Sequence, residues 1–178
     1  MSDKITAYKM DIKYVKELLF NLTKGKFMLF TKEEFKSKIS YLRQKANLSF
    51  YFDIRKDEDI YNTRHEVEKI IKDNFQNIDE LKVYHILLVF TELSTNIIKH
   101  AINGSFEIYI FNEGVYMAFR DSGPGISIDK IPYITLPNYS RLEDSLGFGF
   151  NICIELSHSI EMETSSEGTN IIVYMEIC

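Results

Sequence analysis

Glu92, Asn96 and Lys99 are spaced i, i+4 and i+7 within the segment HILLVFTELSTNIIKHA. At about 100° per residue they fall within about 60° of one another on a helix. Val83, Ile86, Leu87, Phe90, Leu93, Ile97, Ile98 and Ala101 share a broad apolar face, and Leu88 and Val89 lie outside it. A helix apolar over most of its circumference is largely buried, and a carboxylate and an amide on it need partners, because burying them unpaired is costly. Two readings meet that need. In one, the three residues make only intrahelical and surface contacts. In the other, Asn96 offers its amide oxygen to a hard cation such as Mg²⁺, Glu92 accepts a proton from an attacking hydroxyl or water, and Lys99 balances phosphate charge.

Two glycine stretches offer related chemistry. In DSGPGI, Asp121 ends the strand VYMAFRD, Gly123 and Gly125 permit positive φ or close approach of a ligand, and Pro124 limits the freedom between them. Alone, D-x-G-x-G is equally an ordinary turn. In SLGFGFNICIEL, Gly147 and Gly149 precede an apolar helical stretch, so N–H groups at a helix start could face an anion. Phe148 and Phe150 beside them serve equally well as core residues.

These residues must be held by surrounding elements. Val15, Leu18, Leu19 and Leu22 form a helical stripe that Gly25 can end, and Thr31 with Glu34 forms a capping box for a second helix carrying Phe35, Ile39, Leu42 and Ala46. Residues 1–48 therefore read as a helical hairpin and 49–178 as a second unit. LSFYFDI is a strand, and Asp57 or Asp59 caps a helix carrying Ile60, Val67, Ile70, Ile71 and Phe75. A further helix runs from about Asp79 to Ala101. SFEIYIFNEGVYMAFRD is a β-hairpin turning at Asn112 to Gly114. A loop covers Ser122 to Ser145, then come a helix after Gly149 and the strands SIEMET and TNIIVYMEI, joined at Glu167 and Gly168. Helices first and strands later predict an α+β fold, a two-layer sandwich with helices on one face of a mainly antiparallel mixed sheet.

Composition narrows the function classes. Two cysteines, Cys153 and Cys178, give no disulfide framework and no zinc spacing. No apolar run suggests a membrane span and the first residues lack a secretory layout, so a cytoplasmic protein is expected. The net charge of −5 divides into a basic first segment and an acidic remainder. Nucleic acid is not an expected partner, because the basic segment is more simply solvated and docked on its acidic neighbour.

In order the chain gives E-x-x-x-N on a helix, D-x-G-x-G after a strand, a loop of about twenty residues, G-x-G opening a helix, and Gly168-Thr169 opening the last strand. Over roughly residues 50 to 178 this resembles the GHKL superfamily, the Bergerat-type ATP-binding fold of gyrase, heat-shock chaperones, mismatch-repair proteins and sensor histidine kinases. ELSTNIIKHA, RDSGPGI and SLGFGFNI look most like the bacterial anti-sigma factor and switch-protein serine kinases. The resemblance implies ATP and Mg²⁺ as cofactors, with Asn96 as the metal ligand and Glu92 as the catalytic base. It implies that Asp121 accepts from the adenine amine with Thr169 supporting it. Gly123, Gly125 and Ile126 would lie on the adenine side, Gly147, Phe148 and Gly149 on the phosphate side, and Lys99 and Arg141 near phosphate. Ser127 to Ser145 would be a nucleotide lid, whose hinge Ser145 and Asn151 make less free than in relatives with smaller residues.

The implied function is a protein serine/threonine kinase acting on an antagonist-type regulatory protein, with a sigma factor or a second copy of the chain as further partners. The alternatives are a non-catalytic ATP-binding protein that sequesters a regulator, a domain that binds no nucleotide, and a histidine kinase fragment, to which His65 beside Glu66 lends a faint phosphoacceptor pattern.

Overall fold

The structure, a computed structural model, describes residues 11–101, 103–136 and 149–177, so the assignments made above for Arg141, Ser145, Gly147 and Phe148 lie outside the described residues. Helix α1 (Ile12–Leu22) leads into strand β1 (Phe27–Leu29) and helix α2 (Lys32–Lys45). The capping box of α2 forms in both directions: Thr31 Oγ1 accepts from Glu34 N–H at 3.2 Å, and Glu34 Oε2 from Thr31 N–H at 2.6 Å. Two of the N–H groups that a helix start leaves without partners are thereby satisfied. After β2 (Leu48–Ile54), α3 (Asp57–Asn74) starts differently from expectation. Asp59 is not its cap but sits in the first turn, and its Oδ2 reaches back to accept from Arg55 N–H at 2.8 Å and Lys56 N–H at 3.0 Å. Asp79 caps α4 (Glu80–His100) by accepting from Leu81 N–H at 2.9 Å.

The rest of the described chain is β3 (Gly104–Ile110), β4 (Gly114–Asp121), a 3-10 turn (Ile128–Lys130), α5 (Ile131–Ile134), α6 (Gly149–Leu156), β5 (Ser159–Ser165) and β6 (Gly168–Glu176). The strands form one sheet in the order β1-β5-β6-β4-β3-β2, antiparallel except for the β1–β5 pair. The fold is α+β with a mainly antiparallel mixed sheet, as expected. Two details depart from the expected helices on one face and plain helical hairpin. The first two helices are joined through a strand that becomes one edge of the sheet, and α2 covers the face opposite the other helices.

Register explains why both faces can be covered. Phe52, Phe106, Phe119, Ile171, Met162 and Leu29 align as one rung across all six strands. All but Phe52, which is half-buried against it, belong to the main core with Val15 and Leu19 of α1, Val67 and Ile71 of α3, Phe90 and Ile97 of α4, and Cys153 of α6. Phe90 meets Phe106 edge-on at 4.8 Å, a favoured aromatic geometry. One residue along each strand the side chains point the other way. There Tyr109, Ala118 and Ile172 form a second cluster with Phe35, Ile39 and Leu42 of α2. By length and composition α4 could span a membrane, but Val83, Leu87, Phe90, Leu93 and Ile97 are buried in the main core.

Candidate functional site

α4 brings Glu92, Asn96 and Lys99 to one cleft of about 230 Å³, to which β4 brings Asp121, the following segment Gly123, Gly125 and Ile126, the start of α6 Gly149, and the start of β6 Thr169. All sequence-predicted site residues that the structure describes thus line the same space. Ile97, Phe119, Ile134, Phe150, Met162 and Ile171 supply its apolar walls, so the cleft combines an apolar slot with a few polar groups at fixed positions, the usual make-up of a small-molecule site.

Asp121 is held rigidly. Its Oδ1 accepts from Gly123 N–H at 2.8 Å and from Thr169 N–H at 3.1 Å, which ties the end of β4 to the start of β6. Its Oδ2 makes no hydrogen bond among the described residues. Gly125 has φ of +68°, and a Cβ there would stand 1.9 Å from the Ser165 carbonyl oxygen. Both the left-handed backbone and the close approach exclude a side chain. Thr164 was not visible as a site residue in the sequence. Its Oγ1 accepts from Ile126 N–H at 2.8 Å and lies 3.3 Å from Thr169 Oγ1, which pins the glycine segment to the β5–β6 hairpin. The signal for it was available in the hairpin register, which sets Thr164 opposite Thr169.

On the other side of the cleft the Glu92 carboxylate rests against the start of α6, and a Cβ on Gly149 would come 2.2 Å from Glu92 Oε2. Within α6, burial first and the Glu92 charge second push the Cys153 thiol well above the usual range. Cys153 is therefore an inert core thiol, because only a thiolate is a good nucleophile. Asn151, expected to stiffen the lid hinge, donates from Nδ2 to the Thr135 carbonyl at 2.9 Å and so ties the first turns of α6 to the end of α5. His65, the alternative phosphoacceptor, lies on α3 edge-on to Tyr61 at 4.6 Å and is not among the residues lining the cleft.

Residues 81–177, more than half of the chain, match the model of the histidine kinase-, DNA gyrase B- and HSP90-like ATPase family. The chain belongs to that family. It is an ATP-binding domain of the GHKL type, a family whose members are kinases and ATPases. Among solved structures, the catalytic domain of histidine kinase ThkA is 19% identical, with 72% of this chain and 98% of that one covered at a TM-score of 0.47. The mycobacterial sensor histidine kinase MprB is 12% identical, with 73% and 98% covered at 0.45. No curated protein matches the sequence.

The GHKL domain's own residues fit the nucleotide. Asp121 Oδ2 is an acceptor with no protein donor among the described residues, the complement of an exocyclic amine. A magnesium ion also fits: Asn96 offers a hard amide oxygen, the type this ion takes. No group of three His, Cys, Asp or Glu among the described residues could hold a metal alone, so the ion would share its shell with phosphate oxygens and water.

Proposed function

We propose that this GHKL domain is a protein serine/threonine kinase of the switch type, passing the γ-phosphoryl group of Mg-ATP to a hydroxyl of a small antagonist-type regulatory protein. The observation that carries this reading is the opening of Glu92 and Asn96, one turn apart on α4, into the same cleft as Asp121 and Gly149. Asp121 Oδ2 accepts from the adenine amine while Oδ1, fixed by two N–H groups, holds the carboxylate in place. Thr169 supports that contact, and Gly123, Gly125 and Ile126 form the backbone wall beside the base. Asn96 holds the metal through its amide oxygen. Mg-ATP would supply the transferable phosphoryl group, and its metal ion, held by Asn96, would neutralise part of the charge that develops on it. Glu92 takes the proton of the incoming hydroxyl as its oxygen bonds to phosphorus and the bond to the departing ADP oxygen breaks. Lys99, which makes no ion pair among the described residues, adds positive charge to an otherwise acidic neighbourhood.

The antagonist protein, a sigma factor and a second copy of the chain are the partners this reading anticipates. Incubation with ATP, magnesium and candidate antagonist-domain proteins should give acid-stable phosphoserine or phosphothreonine. Glu92→Gln should cut that yield by at least about 100-fold while ATP affinity stays nearly unchanged. Acid-labile phosphohistidine would overturn the proposal in favour of a histidine kinase. Capture of a partner with ATP bound and no transfer would favour a sequestering regulator.

A further inference from the structure

Helix α6 has little of its own to keep it folded. Its described residues, Gly149–Leu156, include the β-branched Ile152 and Ile154, and its last turn carries no basic residue. Glycine and β-branched residues favour a helix weakly, so tertiary contacts must hold this segment. Those contacts come partly from residues far away in sequence, at the start of β1. Lys26 Nζ donates to the carbonyl oxygens of Glu155 at 2.9 Å and Ile154 at 3.4 Å, so a cation from outside the helix satisfies carbonyls that the helix end leaves over. The next residue, Phe27, is fully buried and meets the Phe150 ring edge-on at 5.7 Å, one residue after Gly149. The Lys26 carbonyl accepts from Ile160 N–H at 2.7 Å, which locks the same stretch to the sheet. Two adjacent residues therefore grip α6 at both ends. α1, immediately before them, packs against the 3-10 turn and α5.

We propose that Lys26 and Phe27 are positioning residues for the phosphate side of the nucleotide cleft. They act through α6, whose first described residue, Gly149, lines that cleft. The assignment rests on the ATP-binding reading of the site. It gives the basic N-terminal segment a role in nucleotide affinity, because the segment sets where the start of α6 stands relative to Glu92.

The experiment compares ATP with adenosine, which lacks the phosphates but keeps the base that Asp121 receives. Lys26→Met, which preserves side-chain length and removes the charge, should weaken ATP about two- to fivefold, as expected for loss of a helix-end cation. It should leave adenosine affinity unchanged and speed amide hydrogen exchange across residues 150–156. Lys26→Arg should restore ATP affinity and exchange, and Phe27→Leu should shift both in the same direction as Lys26→Met. Equal weakening of ATP and adenosine would overturn the assignment, since that is what general destabilisation produces. So would unchanged ATP affinity and α6 exchange in Lys26→Met. If the wild-type protein bound neither ligand, the nucleotide reading itself would fall and this assignment with it, a result distinct from normal wild-type binding that Lys26→Met does not alter.

Discussion

Two neighbouring rungs of the sheet differ in chemistry although they lie one residue apart along every strand. The rung Phe52, Phe106, Phe119, Ile171, Met162 and Leu29 is apolar throughout, and its side faces α4 and the cleft. The next, Tyr51, Glu107, Ala118, Ile172, Glu161 and Met28, places two carboxylates under α2. Glu107 is 7% exposed and Glu161 3%. Glu107 is well served: Arg43 donates from Nη2 at 2.9 Å, Arg120 Nη2 lies 2.9 Å away, and Tyr109 Oη donates at 2.5 Å. Glu161 has Lys38 at 3.6 Å and Ser159 at 3.3 Å, but its Oε2 has no hydrogen-bond partner among the described residues. The apolar rung supports a site whose polar groups are kept for a ligand, whereas the polar rung uses its carboxylates to attach a helix. Changes on the first face should therefore act on binding, and changes on the second on stability.

The largest effect that tests this division is Asp121→Asn. Oδ1 can still accept from Gly123 and Thr169, which fixes the new NH₂ towards the cleft, where it would confront a donor instead of accepting from it. ATP affinity should fall by about 100-fold or more in calorimetric titration, with the melting temperature of the free protein little changed. Next comes Glu107→Ala, which leaves Arg43, Arg120 and the buried Tyr109 hydroxyl without their common partner. Urea unfolding should show a loss of about 2–3 kcal/mol, while ATP affinity in the folded protein stays the same. A large fall in affinity here would break the division between the faces.

A smaller effect concerns pH, because the two glutamates titrate in opposite senses. Burial raises the Glu161 carboxyl, an effect that Lys38 only partly opposes. Its contribution to stability is present below the ordinary glutamate value and is lost as pH rises through the elevated folded-state value. Glu107 is lowered despite its burial, because the Arg43 and Tyr109 hydrogen bonds and the Arg120 charge outweigh desolvation. Its contribution is present above the ordinary value and is lost as pH falls through the lowered one. Glu161→Gln should accordingly raise the melting temperature at neutral pH by a few degrees and flatten the decline of stability just above the ordinary glutamate range. An unchanged pH profile would remove Glu161 from the account. Smallest of all is Lys32→Ala. The Lys32–Glu167 pair links α2 to the β5–β6 turn, but both side chains are more than half exposed, and melting should show no measurable change.

The contrast between the rungs also explains what could be read from the sequence. β2, the β3–β4 hairpin and α4 were legible to within a residue or two because each shows one clear period, and the α2 capping box is a local device. The site residues on α4, β4 and β6 were legible as a set because their order along the chain carries the pattern. The cover on the second face was not. In sequence β3 and β5 alternate apolar and polar residues, which marks a half-covered sheet, yet in the structure both are buried on successive residues. The glutamates within them read as solvent-facing until α2 is placed above them. β1 was missed because three residues between two helices are too few to show a period, and its pairing partner lies in β5. The cap of α3 was misplaced because Asp57 and Asp59 are equivalent to any local rule, and only the chain's entry through Arg55 and Lys56 selects the one that reaches back.

The pairing of Phe27 with Ile160 spans most of the chain, and it has a consequence for the order of folding. As the polypeptide is made, α1 and β1 emerge first but have no strand to join until β5 has followed, and Asp121 waits for Thr169 in the same way. Contacts between such distant segments form late, because the loops they close are long. The edge of the sheet and the seat of the nucleotide should therefore be completed together only after β5 and β6 have been made, so that a chain still unfinished at β6 could not yet hold ATP.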